Sequence, residues 1–220
     1  MDLIFGIIIT LPILLYSAIL HEIAHGLVAE RLGDPTARLM GRITLNPIPH
    51  IDPMMSILLP ILLIYQSIFT SIHIIIGGAK PVPVDPFNFR EPKKDMALVS
   101  LAGPATNLLI AIIFGIVCRF IFPGLSINSI LNNGILGITL GTIIYINLIL
   151  AIFNLIPIPP LDGSKIFAQI LPDKEAASYL SIGNIGLFII LFLFMFPLGG
   201  FSLGGFIGNL LNFSLKLLGL

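Results

Sequence analysis

Cysteine, tryptophan and charge are all scarce in this sequence of 220 residues. Cys118 is the single cysteine, which excludes an intrachain disulfide and any zinc site built from several thiolates. Charged residues make up 10% of the chain, whereas a soluble domain carries about 25%. The 11 basic residues balance the 11 acidic ones, so the net charge is zero and nothing indicates a nucleic-acid partner.

Apolar residues dominate instead, at 56% of the chain with a mean hydropathy of +1.06. A chain of this length cannot bury so much apolar surface in one core, so lipid must cover much of it. We predict an all-α polytopic membrane protein with about five to six transmembrane helices. Long apolar runs predict spans at Leu3 to Glu30, Ala97 to Ile121, Ile135 to Ile156, Leu180 to Phe196 and Phe206 to Leu220. The first run lacks the basic start and cleavage site of a signal peptide, so we expect it to remain as a helix.

A further apolar stretch, Met54 to Ile76, is long enough to span but is interrupted by Pro60 and a central polar cluster. The segments on either side, Arg31 to Pro53 and Lys80 to Asp95, are both rich in Lys and Arg, which is typical of cytoplasmic loops. If both segments are cytoplasmic, the stretch must enter and leave on one side. We predict a re-entrant hairpin, with an ordinary tilted span as the alternative.

The segment Arg38 to Pro47 has extended character, and we predict a short membrane-associated β segment there. Non-helical backbone is tolerated near lipid only where it is buried in protein or lines a water-filled cavity. The segment Gly77 to Pro92 is rich in proline and glycine, which predicts an ordered loop. We expect a single integral-membrane domain over 1–220, with a catalytic core over about 3–170 and further helices over about 178–220.

The first span carries His21, Glu22 and His25 in the pattern H-E-x-x-H. Residues four apart lie on one helix face, so both imidazoles can bind one zinc ion, and Glu22 can take a proton from water that the metal activates. Two histidines and a carboxylate within a membrane helix are costly unless they are paired or metallated, which favours a functional site. We expect His50 and His73 to be loop or interfacial residues.

A catalytic zinc site needs a third protein ligand and an open position. Asp162, in NLIPIPPLDG just beyond the span Ile135 to Ile156, is the best available candidate, although an Asp-Gly pair after a helix is more often a turn. The two motif-bearing spans must then run in the same direction, as the re-entrant hairpin allows. Asn154 either donates to a substrate carbonyl or oxyanion, or forms a hydrogen bond between helices.

Together HEIAH, LAGPATN and NLIPIPPLDG resemble the site-2 protease family of intramembrane zinc metalloproteases, in its compact form without PDZ or CBS domains. The resemblance implies hydrolysis of peptide bonds within the membrane, on transmembrane substrates. It implies that His21, His25 and Asp162 bind one Zn²⁺ per chain, that Glu22 is the catalytic base and that Asn154 helps to position substrate. The segment GRITLNP matches the part of the family thought to pair with an unwound substrate strand, which implicates Gly41, Ile43, Thr44 and Asn46.

Two other functions remain open at this stage. A metal-binding membrane protein or transporter would need acids and histidines along several spans, and here they cluster at one end of two. A scaffold without activity has no use for a base such as Glu22 beside the metal. We therefore expect a multi-pass enzyme of the cell membrane, surrounded by the lipid bilayer, with its active site nearer the cytoplasmic face.

Overall fold

The structure is a computed structural model that describes residues 3–51, 79–183 and 185–220. Its longer helices are α1 (Leu3–Leu32), α3 (Pro92–Ile121), α5 (Gly134–Asn154) and α9 (Leu203–Leu217). The shorter helices are α2 (Thr36–Leu39), α4 (Ile127–Leu131), α6 (Asp162–Ala168), α7 (Asp173–Leu180) and α8 (Ile185–Met195). Two 3₁₀ turns cover Ile48–His50 and Pro86–Asn88. Within the described residues the chain is helical and contains no β-strand.

In the part of the chain that the structure describes, three helices are long and apolar enough to cross a bilayer, namely Gly6–Leu32, Pro92–Ile121 and Gly134–Asn154. Each exceeds the roughly 20 residues that a hydrocarbon core requires. Large apolar side chains on their outer faces are exposed, such as Leu109 (57%) and Ile116 (51%) on α3, as expected where lipid replaces protein contacts. The protein is therefore a membrane protein, and the three strongest predicted spans are confirmed as helices.

The weaker spans differ from their predictions. In the run Leu180 to Phe196, Leu180 ends α7 and Ile185–Met195 forms α8. The two helices count as a fourth span only if they are taken together as one bent element. The run Phe206 to Leu220 forms α9, a helix of 15 residues that is short for a complete crossing. The predicted re-entrant hairpin, Met54 to Ile76, lies outside the described residues, and so does His73.

Contacts between side chains establish the relative directions of α1, α3 and α5. Ser17 near the middle of α1 bonds Asn147 of α5, and His21 farther along α1 meets Asp162 after α5. The two helices therefore run parallel, as the zinc hypothesis required. Helix α3 runs antiparallel to α1, because Asn107 lies beside His21 whereas the earlier Val99 lies beside His25.

The predicted short strand over Arg38 to Pro47 is not confirmed. Arg38 lies in α2, which ends at Leu39, and the following residues form turns and bends that are closed by local hydrogen bonds. The hydroxyl of Thr44 accepts from the amide of Asn46 at 3.2 Å, and the side chain of Asn46 accepts from the amide of Ile48 at 3.1 Å. Short polar side chains that bond nearby backbone favour turns over strands, and this local effect overrides the β propensity of the segment.

A polar clamp built on Asp34 fixes the loop that precedes α3. Gly33 ends α1 with φ of +114°, a conformation that favours glycine, and the buried Asp34 follows. Its carboxylate accepts from the amide of Asp85 at 2.8 Å and from the side-chain amide of Asn88 at 2.7 Å, as well as from Thr36. The loop over residues 79–89 is thereby held against the end of α1, beside the predicted active site.

Candidate metal centre

His21 and His25 lie on adjacent turns of α1 and face the start of α6. Both are buried, at 6% and 7% exposure, although they lie within an apolar helix. Asp162, the first residue of α6, places Oδ2 at 3.1 Å from His21 Nε2 and at 3.2 Å from His25 Nε2. The structure thus brings together two imidazole nitrogens and one carboxylate oxygen, although Asp162 lies 141 residues beyond His21 in the sequence.

The spacing of these three atoms suits a zinc ion. Zinc–nitrogen and zinc–oxygen bonds of about 2.0–2.1 Å in tetrahedral geometry separate neighbouring ligand atoms by roughly 3.3 Å. The two separations in the structure, 3.1 and 3.2 Å, lie within a few tenths of an ångström of that value. A set of two histidines and one carboxylate is also the type found in catalytic zinc sites, which keep a fourth position open.

The second nitrogen of each imidazole has its own partner. His25 Nδ1 lies 2.7 Å from the carbonyl oxygen of Val99, and His21 Nδ1 lies 2.5 Å from Oδ1 of Asn107. Both partners accept hydrogen bonds, so both imidazoles are oriented to carry a proton on Nδ1 and to present the Nε2 lone pair. This is the arrangement that metal-binding histidines use.

Gly103 of α3 makes room for the two imidazoles. A Cβ atom at this position would lie 2.5 Å from Nε2 of His21 and 2.5 Å from Nε2 of His25. Any side chain would therefore overlap the metal-binding face of both rings. The LAGPATN segment was one of the motifs that carry the family resemblance, and the structure shows a steric requirement for its glycine.

Glu22 is half-buried and lies beside the two histidines. Ligand atoms of His21, Glu22 and His25 all lie within 4.8 Å of one another. Its Oε2 accepts a hydrogen bond of 2.7 Å from the amide of Val82, in the loop that the Asp34 clamp secures. One carboxylate oxygen is thus held by the backbone, which orients the other.

The environment of Asp162 favours its ionised form. Burial alone would raise the pKa of its carboxyl, but the facing imidazoles of His21 and His25 and the charge of Lys165 lower the pKa well below the ordinary range. Lys165 Nζ is 3.6 Å from Oδ1, the oxygen that faces away from the histidines. Asp162 is therefore charged at neutral pH, as a metal ligand must be.

Other predicted site residues lie apart from this cluster or at its edge. Asn154 is half-buried and donates to the carbonyl of Leu150 in its own helix at 2.9 Å, and among the described residues it makes no hydrogen bond to another helix. Ile43 packs beside Gly26, next to His25, whereas Gly41 is exposed. His50 is a buried loop residue whose Nε2 lies 2.9 Å from the carbonyl of Thr44.

The roles of Asn107 and Asn147 were not predicted from the sequence. Asn107 was predicted only as part of the LAGPATN segment, without a role of its own, and Asn147 was not considered. Both are fully buried in apolar helices. An uncharged amide within a predicted span is itself a signal, because it must find hydrogen-bond partners inside the protein.

Comparisons with known proteins identify the relatives of this chain. The family model of peptidase family M50 matches residues 124–198, which include Asp162. The chain is 36% identical over 194 residues to YwhC of Bacillus subtilis, covering 86% of this chain and 81% of YwhC, and YwhC is named as a zinc metalloprotease. It is 31% identical over 191 residues to Rip2 of Mycobacterium tuberculosis, also named as a zinc metalloprotease, covering 86% of this chain and 68% of Rip2. The zinc metalloprotease MJ0392 of Methanocaldococcus jannaschii is 27% identical over 84% of this chain and 42% of its own length. No solved structure matches the chain. By these matches the chain belongs to peptidase family M50, the site-2 protease family, and is a zinc metalloprotease.

Proposed function

We propose that this protein is an intramembrane endopeptidase that hydrolyses peptide bonds of transmembrane substrates. The observation that supports this most strongly is the position of the metal centre. His21 and His25 lie within a helix apolar enough to cross the membrane, and Asp162 reaches them from the end of a second such helix. A substrate that reaches these residues must approach at the level of the membrane, where a transmembrane segment is available.

His21, His25 and Asp162 are the proposed ligands of one zinc ion per chain. When bound, zinc supplies a Lewis acid that activates water near neutral pH. Residues of the protein would orient and transfer the proton. The Val82 amide holds Glu22 Oε2, which leaves Oε1 to accept the proton of the attacking water and to return it to the leaving amine.

Substrate contacts are proposed for the loop that follows α2. Ile43 packs beside Gly26, so the loop is adjacent to the helix turn that carries His25. Gly41, Thr44 and Asn46 lie on the same loop. We propose that they bind a substrate segment after its helix has unwound, since a peptide bond within a helix is not open to attack. A cysteine at Thr44 should cross-link to a substrate peptide, and a lack of cross-linking would remove the loop from the substrate path.

Asn154 is proposed to donate its amide to the substrate carbonyl. This would require it to exchange its bond to Leu150 for one to substrate, which costs little because the two bonds are equivalent in kind. Asn154→Leu should then lower kcat and leave zinc affinity unchanged. An unchanged kcat would remove Asn154 from the mechanism.

The protein is further proposed to be multi-pass, with the metal centre nearer the cytoplasmic face. Basic residues concentrate at the end of α1, at the start of α3 and in the segments between them, at the end of the bundle that holds the metal centre, and such concentrations face the cytoplasm. They are Arg31, Arg38, Arg42, Lys80, Arg90, Lys93 and Lys94. Labelling of single cysteines at Arg38 and Arg90 from intact cells should fail and should succeed after permeabilisation.

Purified protein and a fluorogenic transmembrane peptide test the proposed activity. Chelator should abolish cleavage, and zinc should restore it. A soluble peptide of the same cleavage sequence without its apolar flanks should be cleaved far more slowly. Equal rates on the two peptides would contradict the intramembrane substrate class while leaving the metalloprotease itself intact.

A further inference from the structure

A chain of buried amides joins His21 to the middle of α5. Asn107 Oδ1 lies 2.5 Å from His21 Nδ1, and Asn107 Nδ2 donates to Asn147 Oδ1 at 2.8 Å. Asn147 Nδ2 in turn donates to the hydroxyl of Ser17 and to the carbonyl of Ile143, both at 2.9 Å. Asn107 and Asn147 are fully buried at 0% exposure, and the chain crosses all three membrane helices that surround the metal centre.

We propose that Asn147 is a positioning residue for the metal centre, and that it acts through Asn107 to fix the proton and the orientation of His21. The proposal rests on the proposed ligand role of His21. Among the described residues, Asn147 itself forms no hydrogen bond with the histidines or Asp162, and its side-chain partners are Asn107, Ser17 and Ile143. Its effect is transmitted by the direction of each hydrogen bond in the chain.

The directions follow from one group that can only accept. The carbonyl of Ile143 has no proton, so the side chain of Asn147 must point its NH₂ group toward it. Oδ1 of Asn147 then faces Asn107 and requires a donor, which only Nδ2 of Asn107 can supply. That leaves Oδ1 of Asn107 facing His21, and this oxygen requires a proton on Nδ1.

A reversed Asn107 would have the opposite effect on the metal site. Its NH₂ group would donate to Nδ1 of His21, so the neutral ring would carry its proton on Nε2 and could not bind a metal through that atom. The carbonyl of Ser17, 3.4 Å from Asn107 Nδ2, also opposes this reversal. With the carbonyl oxygens of Ile143 and Ser17 as acceptors, every side-chain amide hydrogen of Asn107 and Asn147 has a partner.

His25 provides an internal comparison. Its Nδ1 bonds the carbonyl of Val99 directly at 2.7 Å, so a backbone acceptor fixes its tautomer without any relay. His21 instead faces the side chain of Asn107 on α3. The group that can only accept is the carbonyl of Ile143, and it is connected to Asn107 through Asn147. Loss of Asn147 should therefore disturb His21 and leave His25 unchanged, whereas a general loss of packing would disturb both.

The test compares full-length wild type and Asn147→Leu in detergent micelles by two measurements. Competition with a chromophoric chelator gives zinc affinity, which should fall about 10-fold to 100-fold, as for other partners of metal-binding histidines. Proton NMR of the zinc-loaded protein, labelled with ¹⁵N-histidine, reports the two Nδ1 protons. The His21 signal should move upfield as its short bond weakens, and the His25 signal should stay in place.

Leu148→Ala is the matched control, since Leu148 is the next residue of α5, is equally buried and packs against other helices. It should lower stability but keep zinc affinity within about twofold. Asn147→Ala serves as a second variant if Asn147→Leu does not fold. Wild-type zinc affinity with an unmoved His21 signal in either Asn147 variant would overturn the relay. A wild type that binds no zinc would instead overturn the proposed function.

Discussion

Replacement of Gly103 by alanine tests the geometry of the metal centre with a single methyl group. The added Cβ would lie 2.5 Å from Nε2 of His21 and of His25, whereas nonbonded heavy atoms reach optimal contact at about 3.5–4.0 Å. The overlap is therefore about 1 Å against two rings at once. Neither ring can retreat freely, because Asn107 holds His21 and Val99 holds His25.

The expected loss of zinc affinity in Gly103→Ala follows from these contacts. Overpacking of this kind costs about 1–3 kcal/mol, and breaking one of the buried imidazole bonds adds about 1–3 kcal/mol. The two costs together come to about 2–6 kcal/mol, which corresponds to a loss of at least about 30-fold in zinc affinity, since about 1.4 kcal/mol is tenfold. Cleavage at limiting zinc should fall by a similar factor.

Chelator competition on Gly103→Ala measures this loss directly, with Gly115→Ala on the same helix as the control. A Cβ at Gly115 would lie 3.2 Å from the end of the Leu218 side chain, which can shift. The control should keep zinc affinity within about twofold. Wild-type affinity in Gly103→Ala would refute the position of the metal between α1 and α3.

The remaining predictions concern the loop clamp and the third ligand. Asp34→Asn should lower stability by about 1–3 kcal/mol through lost hydrogen bonds to the carboxylate. Burial would raise the pKa of Asp34, but its hydrogen bonds lower that pKa below the ordinary value. The stability that the ionised carboxylate contributes is therefore complete above the unfolded pKa near 4, and it is lost as the pH falls through the lower folded pKa. Melting temperatures of both proteins across pH should converge in acid, and a gap that widens there would contradict the clamp. Asp162→Ala should lose its zinc on dialysis against chelator, and retention at wild-type affinity would refute Asp162 as a ligand.

The local part of the site could be predicted from the sequence. His21, Glu22 and His25 lie within five residues of one helix, so helix geometry alone places the two imidazoles on one face. Asp162 was predicted from a distant motif and the requirement for parallel spans, and the structure brings it to the histidines. Long apolar runs likewise predicted the three main helices, because their length matches the bilayer.

The parts that depend on packing between helices could not be predicted. The spacing of Asn107 and Asn147 in sequence does not reveal that they meet, since that requires the relative rotation of α3 and α5. The steric role of Gly103 depends in the same way on how closely α1 approaches α3. The strand predicted over Arg38 to Pro47 failed for a different reason, namely that side chains of Thr44 and Asn46 bond their own neighbours and form turns.

Zinc content and cleavage rate, measured on one preparation of Glu22→Gln, test the central claim most directly. Glutamine keeps the shape of the side chain and can still accept from the Val82 amide, but it cannot act as a base at Oε1. The variant should keep the zinc content of wild type and lose cleavage of the transmembrane peptide. Cleavage at the wild-type rate would contradict this mechanism.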